Sequence, residues 1–318
     1  MAEQTISALT STPEEPRRRA SLAELFTRLV KEKPLGTVGG IIVLTLLIVG
    51  IFANLLAPYG MSEMHLEDAF SPPSGQYFLG TDEYGRDMLS RIIFGARISM
   101  VVGLAGTTLA TVISVIIGLF SGYIGGKFDL VVQRFVDAWL CFPALFIVLT
   151  VMAVLGPGMW QVIVVLGIRY GIVGTRVVRS AVISIRENAY MEASIAIGCT
   201  TWRIITRHIL PNIMAPLIVL FSVRMSAVIL MEATISFLGF GIPPPQPSWG
   251  GMISGSGREY MLQAPWMIFW PGIALSIVVY GINMFGDAVR DLLDPRLRGG
   301  IGRYGVAKRK KQVKSSGV

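Results

Sequence analysis

Long apolar runs separated by short polar segments dominate this chain. Six runs have the length, about 20 residues, that a helix needs to cross ~30 Å of hydrocarbon. They lie at residues 35–57, 98–121, 131–155, 160–180, 212–239 and 266–288. The pattern predicts an all-α membrane protein with six transmembrane helices.

A shorter amphipathic segment precedes the first run. Apolar residues recur at helical spacing over residues 22–30, and Ser21 with Glu24 makes a capping box. This pattern predicts an amphipathic helix over 21–34 that lies in the membrane interface. Packing against other protein alone is the alternative.

Composition changes divide the chain into units. Two connections, 58–97 and the inner loop 181–211, are too long to be simple turns, so we expect each to hold structure of its own. The predicted units are a flexible cytoplasmic tail at 1–20, the amphipathic helix at 21–34, the first transmembrane helix with its outer segment at 35–97, the core transmembrane domain with the inner loop at 98–290, and a basic cytoplasmic tail at 291–318.

Charge supports a bilayer location and predicts an orientation. Charged residues make up only 15% of the chain, whereas soluble domains carry about 25%. With six crossings, 22 of the 28 Lys and Arg residues fall on the side of the termini, four fall on the other side and two lie inside spans. The positive-inside rule therefore places both termini in the cytoplasm. The same distribution explains the net charge of +8 without a nucleic-acid partner.

Small residues recur four apart in several runs. Gly118, Gly122 and Gly126 form one series, and Gly167 and Gly171 form another. Such spacing lets helix backbones approach closely in lipid. Packing within this chain and packing against another membrane subunit remain equal alternatives.

Few residues suggest catalytic or metal chemistry. Cys141 and Cys199 lie in different segments without metal-ligand spacing, and His65 and His208 belong to no metal or nucleophile motif. We therefore predict no catalytic residue and no metal site. The stretch 125–128 lacks the hydroxyl of a phosphate-binding loop, so any ATP motor is a separate chain.

Two ionisable residues lie deep in the fifth run. Arg224 and Glu232 are eight residues apart, about two helical turns, so we expect no direct pair between them. Ionisable residues inside a membrane indicate function by default, and both are candidates for the translocation path or a gate. Structural hydrogen bonding is the alternative for Glu232. In the third run we expect Arg134 and Asp137 to form an ion pair within their helix.

The sequence of the inner loop predicts two short helices separated by a break. Good helix formers over 187–197 end at Gly198, which can adopt the left-handed conformation that closes a helix. A second helix begins after Thr200 or Thr201 and is expected to end before Pro211. Two short helices at a membrane surface predict a docking element for a partner protein.

This loop resembles the EAA loop of ATP-binding-cassette importer permeases. The family pattern is Glu-Ala-Ala, three residues, Gly, nine residues, Ile, one residue and Leu-Pro. The chain matches it at Glu192, Ala193, Gly198, Leu210 and Pro211. It departs from it at Ser194, which replaces the second Ala, and at His208, which replaces the Ile. The resemblance implies that the matching residues and Ser194 couple the chain to an ATPase.

Three other stretches resemble the C-type permeases for dipeptides, oligopeptides and nickel. They are 78–91, 236–250 and 286–296, and the resemblance as a whole covers about residues 20–298. The first stretch contains four candidate contacts for a binding protein: Asp82, Arg86, Asp87 and Arg91. An internally paired cap on the spans is the alternative.

The resemblance implies a type I importer permease fold in a bacterial plasma membrane. It also implies a homologous second permease subunit, two ATPase subunits that bind ATP and magnesium, and an extracytoplasmic substrate-binding protein. This chain is then a transport subunit and not an enzyme, and it binds no cofactor itself. The implied cargo is a dipeptide or oligopeptide, with nickel complexes or glutathione-like solutes as alternatives. A gradient-driven secondary transporter is the alternative from another class.

Overall fold

The computed structural model describes residues 22–293, with side chains from residue 27 onward, and most of them are helical. The first seven helices are α1 Leu22–Glu32, α2 Pro34–Ile51, α3 Ala53–Leu56, α4 Met88–Ile124, α5 Gly126–Cys141, α6 Ala144–Leu155 and α7 Met159–Arg186. The remaining helices are α8 Ala189–Ala196, α9 Thr201–Ile204, α10 Leu210–Phe237, α11 Trp249–Ile253, α12 Gly255–Glu259 and α13 Trp266–Leu293. The expectations for tail 1–20, for most of tail 291–318 and for the Ser21 cap lie outside the described residues.

Five helical segments are long and apolar enough to cross a membrane. They are α2, α4, α7, the continuous segment Thr201–Phe237 that ends in α10, and α13. Helices α5 and α6 meet the same criterion only as a pair, which makes a sixth crossing if the pair is one broken span. The all-α prediction is confirmed, and the count of six depends on this pair.

The predicted span over 131–155 is not one continuous helix. Helices α5 and α6 meet at an angle of 90°. Phe142, which ends α5, has extended backbone angles (φ −87°, ψ 137°), and Pro143 follows it. The proline ring disfavours helical geometry in the preceding residue, so the apolar run bends here although its composition does not change.

The second predicted span, 98–121, is too short. Helix α4 begins at Met88 and contains 37 residues, or about 55 Å at 1.5 Å per residue. Arg91 and Arg97, which precede the predicted span, lie inside the helix. Arg97, for example, donates from Nε to the carbonyl oxygen of Gly50 at 2.9 Å, at the end of α2.

The glycine series pack helices within this chain. A Cβ added to Gly118 would lie 2.7 Å from the carbonyl oxygen of Thr175, and one added to Gly171 would lie 2.7 Å from Cβ of Ile113. Both contacts join α4 to α7, which settles the alternative left open by the spacing. Gly126 differs, because an added Cβ would meet no atom within 4 Å.

Helix α13 closes the bundle against α2 and α10. A Cβ on Gly39 of α2 would lie 2.5 Å from the carbonyl oxygen of Gly281. Lys33 Nζ, just before α2, forms a 2.5 Å ion pair with Asp291 near the end of α13. Helices α2 and α13 therefore approach closely at both of these points.

Candidate functional site

The inner loop begins with the short helix α8, which ends as the sequence predicts. Gly198 has φ +81°. The amide of Gly198 donates to the carbonyl oxygen of Ile195 at 2.9 Å, and the amide of Cys199 donates to that of Ser194 at 3.1 Å. This pair of bonds is the Schellman closure, so the predicted left-handed glycine is confirmed.

The second helix of the loop does not end before Pro211. Helix α9 continues through a π-helical turn, Ile205–Ile209, directly into α10. In that turn the amide of Leu210 donates to the carbonyl oxygen of Ile205, five residues back. The wider turn changes the hydrogen-bonding register just before the proline, where an α-helical turn would place a carbonyl against its ring. The loop therefore contains one short helix and the start of a long one.

The residues at the three EAA positions divide between an exposed and a buried face of α8. Ser194 is buried, and its hydroxyl donates to the carbonyl oxygen of Tyr190 at 2.7 Å. Glu192 and Ala193 are exposed. Four large apolar side chains of the loop are also exposed, by 44 to 81%, and we call them the loop surface: Tyr190, Ile195, Ile197 and Trp202.

The inner face of the loop is fixed to the long helices. Met191 of α8 is fully buried in an apolar cluster with Ile204, Ile205 and Ile209, and residues of α4 and α7 complete that cluster. Leu210 packs against it, whereas Pro211 is exposed. This cluster therefore joins α8 to α7 and α10 by direct packing.

Ion pairs join α5 to α7 near the inner loop. Arg179 Nε donates to Asp129 Oδ1 at 2.6 Å, and a second bond joins Arg179 Nη2 to Asp129 Oδ2. Val136 is the only buried residue of α5, so this bidentate ion pair is an important contact between α5 and the rest of the chain. Sequence reasoning did not single out Asp129 or Arg179, because partners 50 positions apart give no local pattern.

The predicted ion pair within α5 is present, since Arg134 Nη1 lies 3.6 Å from Asp137 Oδ2. Asp137 also bonds to Arg176 of α7, which makes a second link between α5 and α7. The intrahelical pair is thus part of an interhelical contact.

The two deep ionisable residues are both buried and do not pair. Arg224 is 8% exposed and Glu232 is 0% exposed. Arg224 Nη1 donates to the carbonyl oxygen of Tyr170 in α7. Glu232 Oε1 accepts from the hydroxyl of Ser236 at 2.7 Å, and that hydroxyl accepts from the amide of Ile242 at 3.3 Å. These bonds support the structural alternative for Glu232, while a role in the path stays a prediction.

The four candidate contacts for a binding protein, Asp82, Arg86, Asp87 and Arg91, are buried in the outer segment. Asp82 is 2% exposed and accepts from Arg86 Nε at 2.6 Å, while Arg91 Nε lies 3.5 Å from the same carboxylate. Asp87 caps the start of α4, since its Oδ2 accepts from the amide and the hydroxyl of Ser90, each at 2.7 Å. This arrangement has the geometry of the internally paired cap.

Two tryptophans that had no predicted role of their own fix the outer segment to the loop after α10 and to the start of α13. Trp249 Nε1 donates to the carbonyl oxygen of Ile92 at 3.1 Å. Trp266 Nε1 donates to that of Thr81 at 3.0 Å. A buried indole needs such an acceptor, so each tryptophan fixes one point of contact.

Comparison with known proteins agrees with this arrangement. Residues 114–299 match the family described as "binding-protein-dependent transport system inner membrane component". Residues 21–73 match the N-terminal transmembrane domain of oligopeptide transport permease C. A solved structure of the MetNI methionine ABC transporter in inward-facing form shares the fold, with a TM-score of 0.54, 18% identity and coverage of 65% of this chain and 98% of that chain.

Named relatives cover most of both sequences. The dipeptide transport system permease protein DppC of Alkalihalophilus pseudofirmus is 38% identical over 275 residues, which is 86% of this chain and 90% of the relative. The oligopeptide transport system permease protein OppC of Bacillus subtilis is 37% identical over 268 residues, with coverages of 84% and 88%. This chain therefore belongs to the family of binding-protein-dependent transport system inner membrane components.

Proposed function

We propose that this chain is one of two related membrane subunits of an ATP-driven importer for short peptides. The observation that carries the proposal is the EAA-like loop, whose short helix α8 presents an exposed apolar surface and is anchored by Met191 in the bundle. A second permease subunit, two ATPase subunits that bind ATP and magnesium, and an extracytoplasmic binding protein complete the proposed complex.

In this proposal the loop transmits movement from the ATPases to the membrane. The loop surface enters a groove of the ATPase, with Glu192 and Ala193 on the contacting face and Gly198 allowing the turn. Closure of the ATPases displaces α8 as a rigid element, and its buried cluster moves α7 and α10 with it. The cavity between the subunits then opens alternately to the two sides.

The names of the relatives support a peptide as the cargo. Relatives that align over most of their length are described as dipeptide, di/tripeptide and oligopeptide permeases. Nickel complexes and glutathione-like solutes are outcomes that a cargo analysis would reveal.

The proposed orientation places both termini in the cytoplasm of a bacterial plasma membrane. It requires an even number of crossings, so α5 and α6 count together as one broken span. The excess of Lys and Arg near the termini and the inner loop supports this orientation.

The outer segment is the proposed contact for the binding protein. Asp82, Arg86, Asp87 and Arg91 shape it from within, and the exposed side chains of Phe78 and Tyr84 lie on its surface. The binding protein would then contact the surface that this charged cluster supports.

Purification of the complex from its native membrane, followed by reconstitution in vesicles, tests the proposal. We expect two ATPase subunits and a second permease to co-purify, and uptake of a labelled dipeptide to require both ATP and the binding protein. Uptake by this chain without an ATPase, or uptake abolished by collapsing a proton gradient at constant ATP, would contradict it.

A further inference from the structure

Helix α10 is held against α13 over only part of its length. Ser226 Oγ donates to Asn283 Oδ1 of α13 at 2.6 Å. One turn inward, a Cβ added to Gly286 of α13 would lie 3.3 Å from Cβ of Ser222, so the two helices still touch there. Inward of this contact they separate around a cavity of about 560 Å³, and α7 forms its third wall.

The walls of this cavity would make favourable contacts if α10 and α13 approached each other. Ala215 and Val219 of α10 and Leu293 of α13 are apolar wall residues, and their approach would remove apolar surface from the cavity. Asn212 of α10 and Arg290 of α13 line the inner end. A guanidinium has only donors, and the amide oxygen of Asn212 is an acceptor for it. The cavity is therefore a space that the two helices can close.

The hydrogen-bond ladder of α10 is interrupted beside this cavity. Pro216 lies inside the helix and lines the cavity. Because proline has no N–H, it leaves the carbonyl oxygen of Asn212 without its usual helical donor, and its ring crowds the same oxygen. Sharp kinks in helices occur chiefly at prolines. Pro216 is about one and a half turns inward of Ser222, so the interruption falls between the contact with α13 and the inner loop.

The part of the helix inward of Pro216 is joined to the inner loop. Ile209 and Ile213 are fully buried in the cluster that contains Met191 of α8. The same part continues through the π-helical turn into α9. Residues 201–215 are therefore packed with α8, whereas the residues outward of Ser222 are packed with α13. Pro216 lies between these two parts of one helix.

We propose that Pro216 is a hinge at which the inner part of α10 swings toward α13 and closes the cavity when the ATPases move the inner loop. This inference rests on the proposed function and adds a bend within one subunit to the movement between subunits. The missing backbone hydrogen bond lets the helix change direction at Pro216 while the bonds on either side stay intact. The open and closed positions are two packed arrangements of the same helices.

Two spin labels in the complete complex, reconstituted in vesicles, measure this movement. They are attached at Arg207→Cys in the π-helical turn and at Tyr280→Cys on α13, both exposed positions, after Cys141→Ser and Cys199→Ser and removal of cysteines from the other subunits. Arg207 is nine residues, or about 14 Å, inward of Pro216, so a bend of about 20° displaces it by about 5 Å. We expect a change of this order in the distance between the labels when the nucleotide-free complex is trapped with ADP and vanadate.

Pro216→Ala restores the missing donor, so the change in distance should fall to about half or less, and more ATP should be hydrolysed per peptide imported. Pro271→Ala is the matched control, since it makes the same backbone change inside α13 at a position that does not line the cavity, and it should keep the full change in distance.

An unchanged distance in labelled complexes that keep Pro216 overturns the hinge, even if Pro216→Ala does not assemble. A full change in distance in an assembled Pro216→Ala complex overturns it as well. In both cases continued ATP-dependent uptake keeps the proposed function, whereas absence of ATP-dependent peptide uptake by the unlabelled wild type contradicts that function.

Discussion

Arg179 and Asp129 connect α7 to α5 through two parallel hydrogen bonds across 50 positions of sequence. Asp129 also accepts from the hydroxyl of Ser121 in α4 at 2.5 Å, so one carboxylate joins three helices. Helix α7 leads directly into the inner loop. The contact therefore connects α5, through α7, to α8.

Replacing Arg179 by Gln should loosen α5. Hydrogen bonds to charged groups contribute about 1.5–3 kcal/mol, and the bidentate geometry is lost in the variant. Cys141, exposed at the end of α5, and Cys199, half-buried in the inner loop, are the two positions for spin labels. The distance distribution between the labels should broaden in Arg179→Gln.

Arg134→Gln is the control for this experiment, because the side chain of Arg134 is 76% exposed and makes only a weak surface pair. Equal distributions in Arg179→Gln and in the wild type would show that α5 is held by other contacts.

Gly198 should tolerate asparagine better than other residues. Its φ of +81° strains any residue with a Cβ, by roughly 1–2 kcal/mol, and asparagine is among the residues that adopt this region most readily. No atom lies within 4 Å of an added Cβ, so the backbone alone should set the cost for a small side chain. We expect the coupling of ATP hydrolysis to uptake to decrease from Gly198→Asn to Gly198→Val.

The largest loss is expected for Gly198→Arg, which adds a bulky charge beside the loop surface. The measurement is the number of ATP molecules hydrolysed per peptide imported. Normal coupling in Gly198→Arg would contradict a role of this turn in transmitting movement.

Asp82→Asn should destabilise the outer segment. The change removes the carboxylate that Arg86 and Arg91 share. Arg86 keeps Glu83, whose Oε1 lies 3.3 Å from its Nη2, but Arg91 loses its ion pair, and breaking a buried pair costs about 3–5 kcal/mol. Thermal unfolding of the purified complex should shift to lower temperature, with Glu63→Gln at an exposed position as the control. Weaker docking of the binding protein at unchanged stability would instead show direct contact by Asp82.

The sequence predicted the helical spans better than their ends. The hydrophobic runs predicted α2, α7, α10 and α13, because apolar residues give way to polar residues near the ends of these helices. The start of α4 was missed because Arg91 and Arg97 look exposed in sequence, whereas Asp82 and the carbonyl oxygens of α2 bind them in the structure. Tertiary partners of this kind are invisible to a local pattern.

Local sequence patterns predicted the turn at Gly198 in the inner loop but not the helix that continues through Pro211. The turn at Gly198 depends on backbone geometry that glycine permits, so spacing was sufficient. The continuation through Pro211 depends on the π-helical turn Ile205–Ile209, whose isoleucines pack into a cluster shared with α4 and α7. Burial there favours a continuous helix over the break that the proline suggested.

Glu232 provides a test that separates a structural role from a role in the path. Its carboxylate is fully buried, accepts from Ser236, and through that hydroxyl positions the amide of Ile242 after α10. Glu232→Gln keeps an acceptor oxygen of the same reach, whereas Glu232→Ala leaves a cavity and removes the acceptor. We expect Glu232→Ala to lose about 1–3 kcal/mol of stability and Glu232→Gln to lose less, measured by thermal unfolding of the complex. Peptide uptake should follow stability in both variants, because the side chain acts through the loop that it holds. If Glu232→Gln is as stable as the wild type but imports peptides at a different rate or with a different preference, the carboxylate acts on the cargo, and the hydrogen bond to Ser236 is not its main purpose.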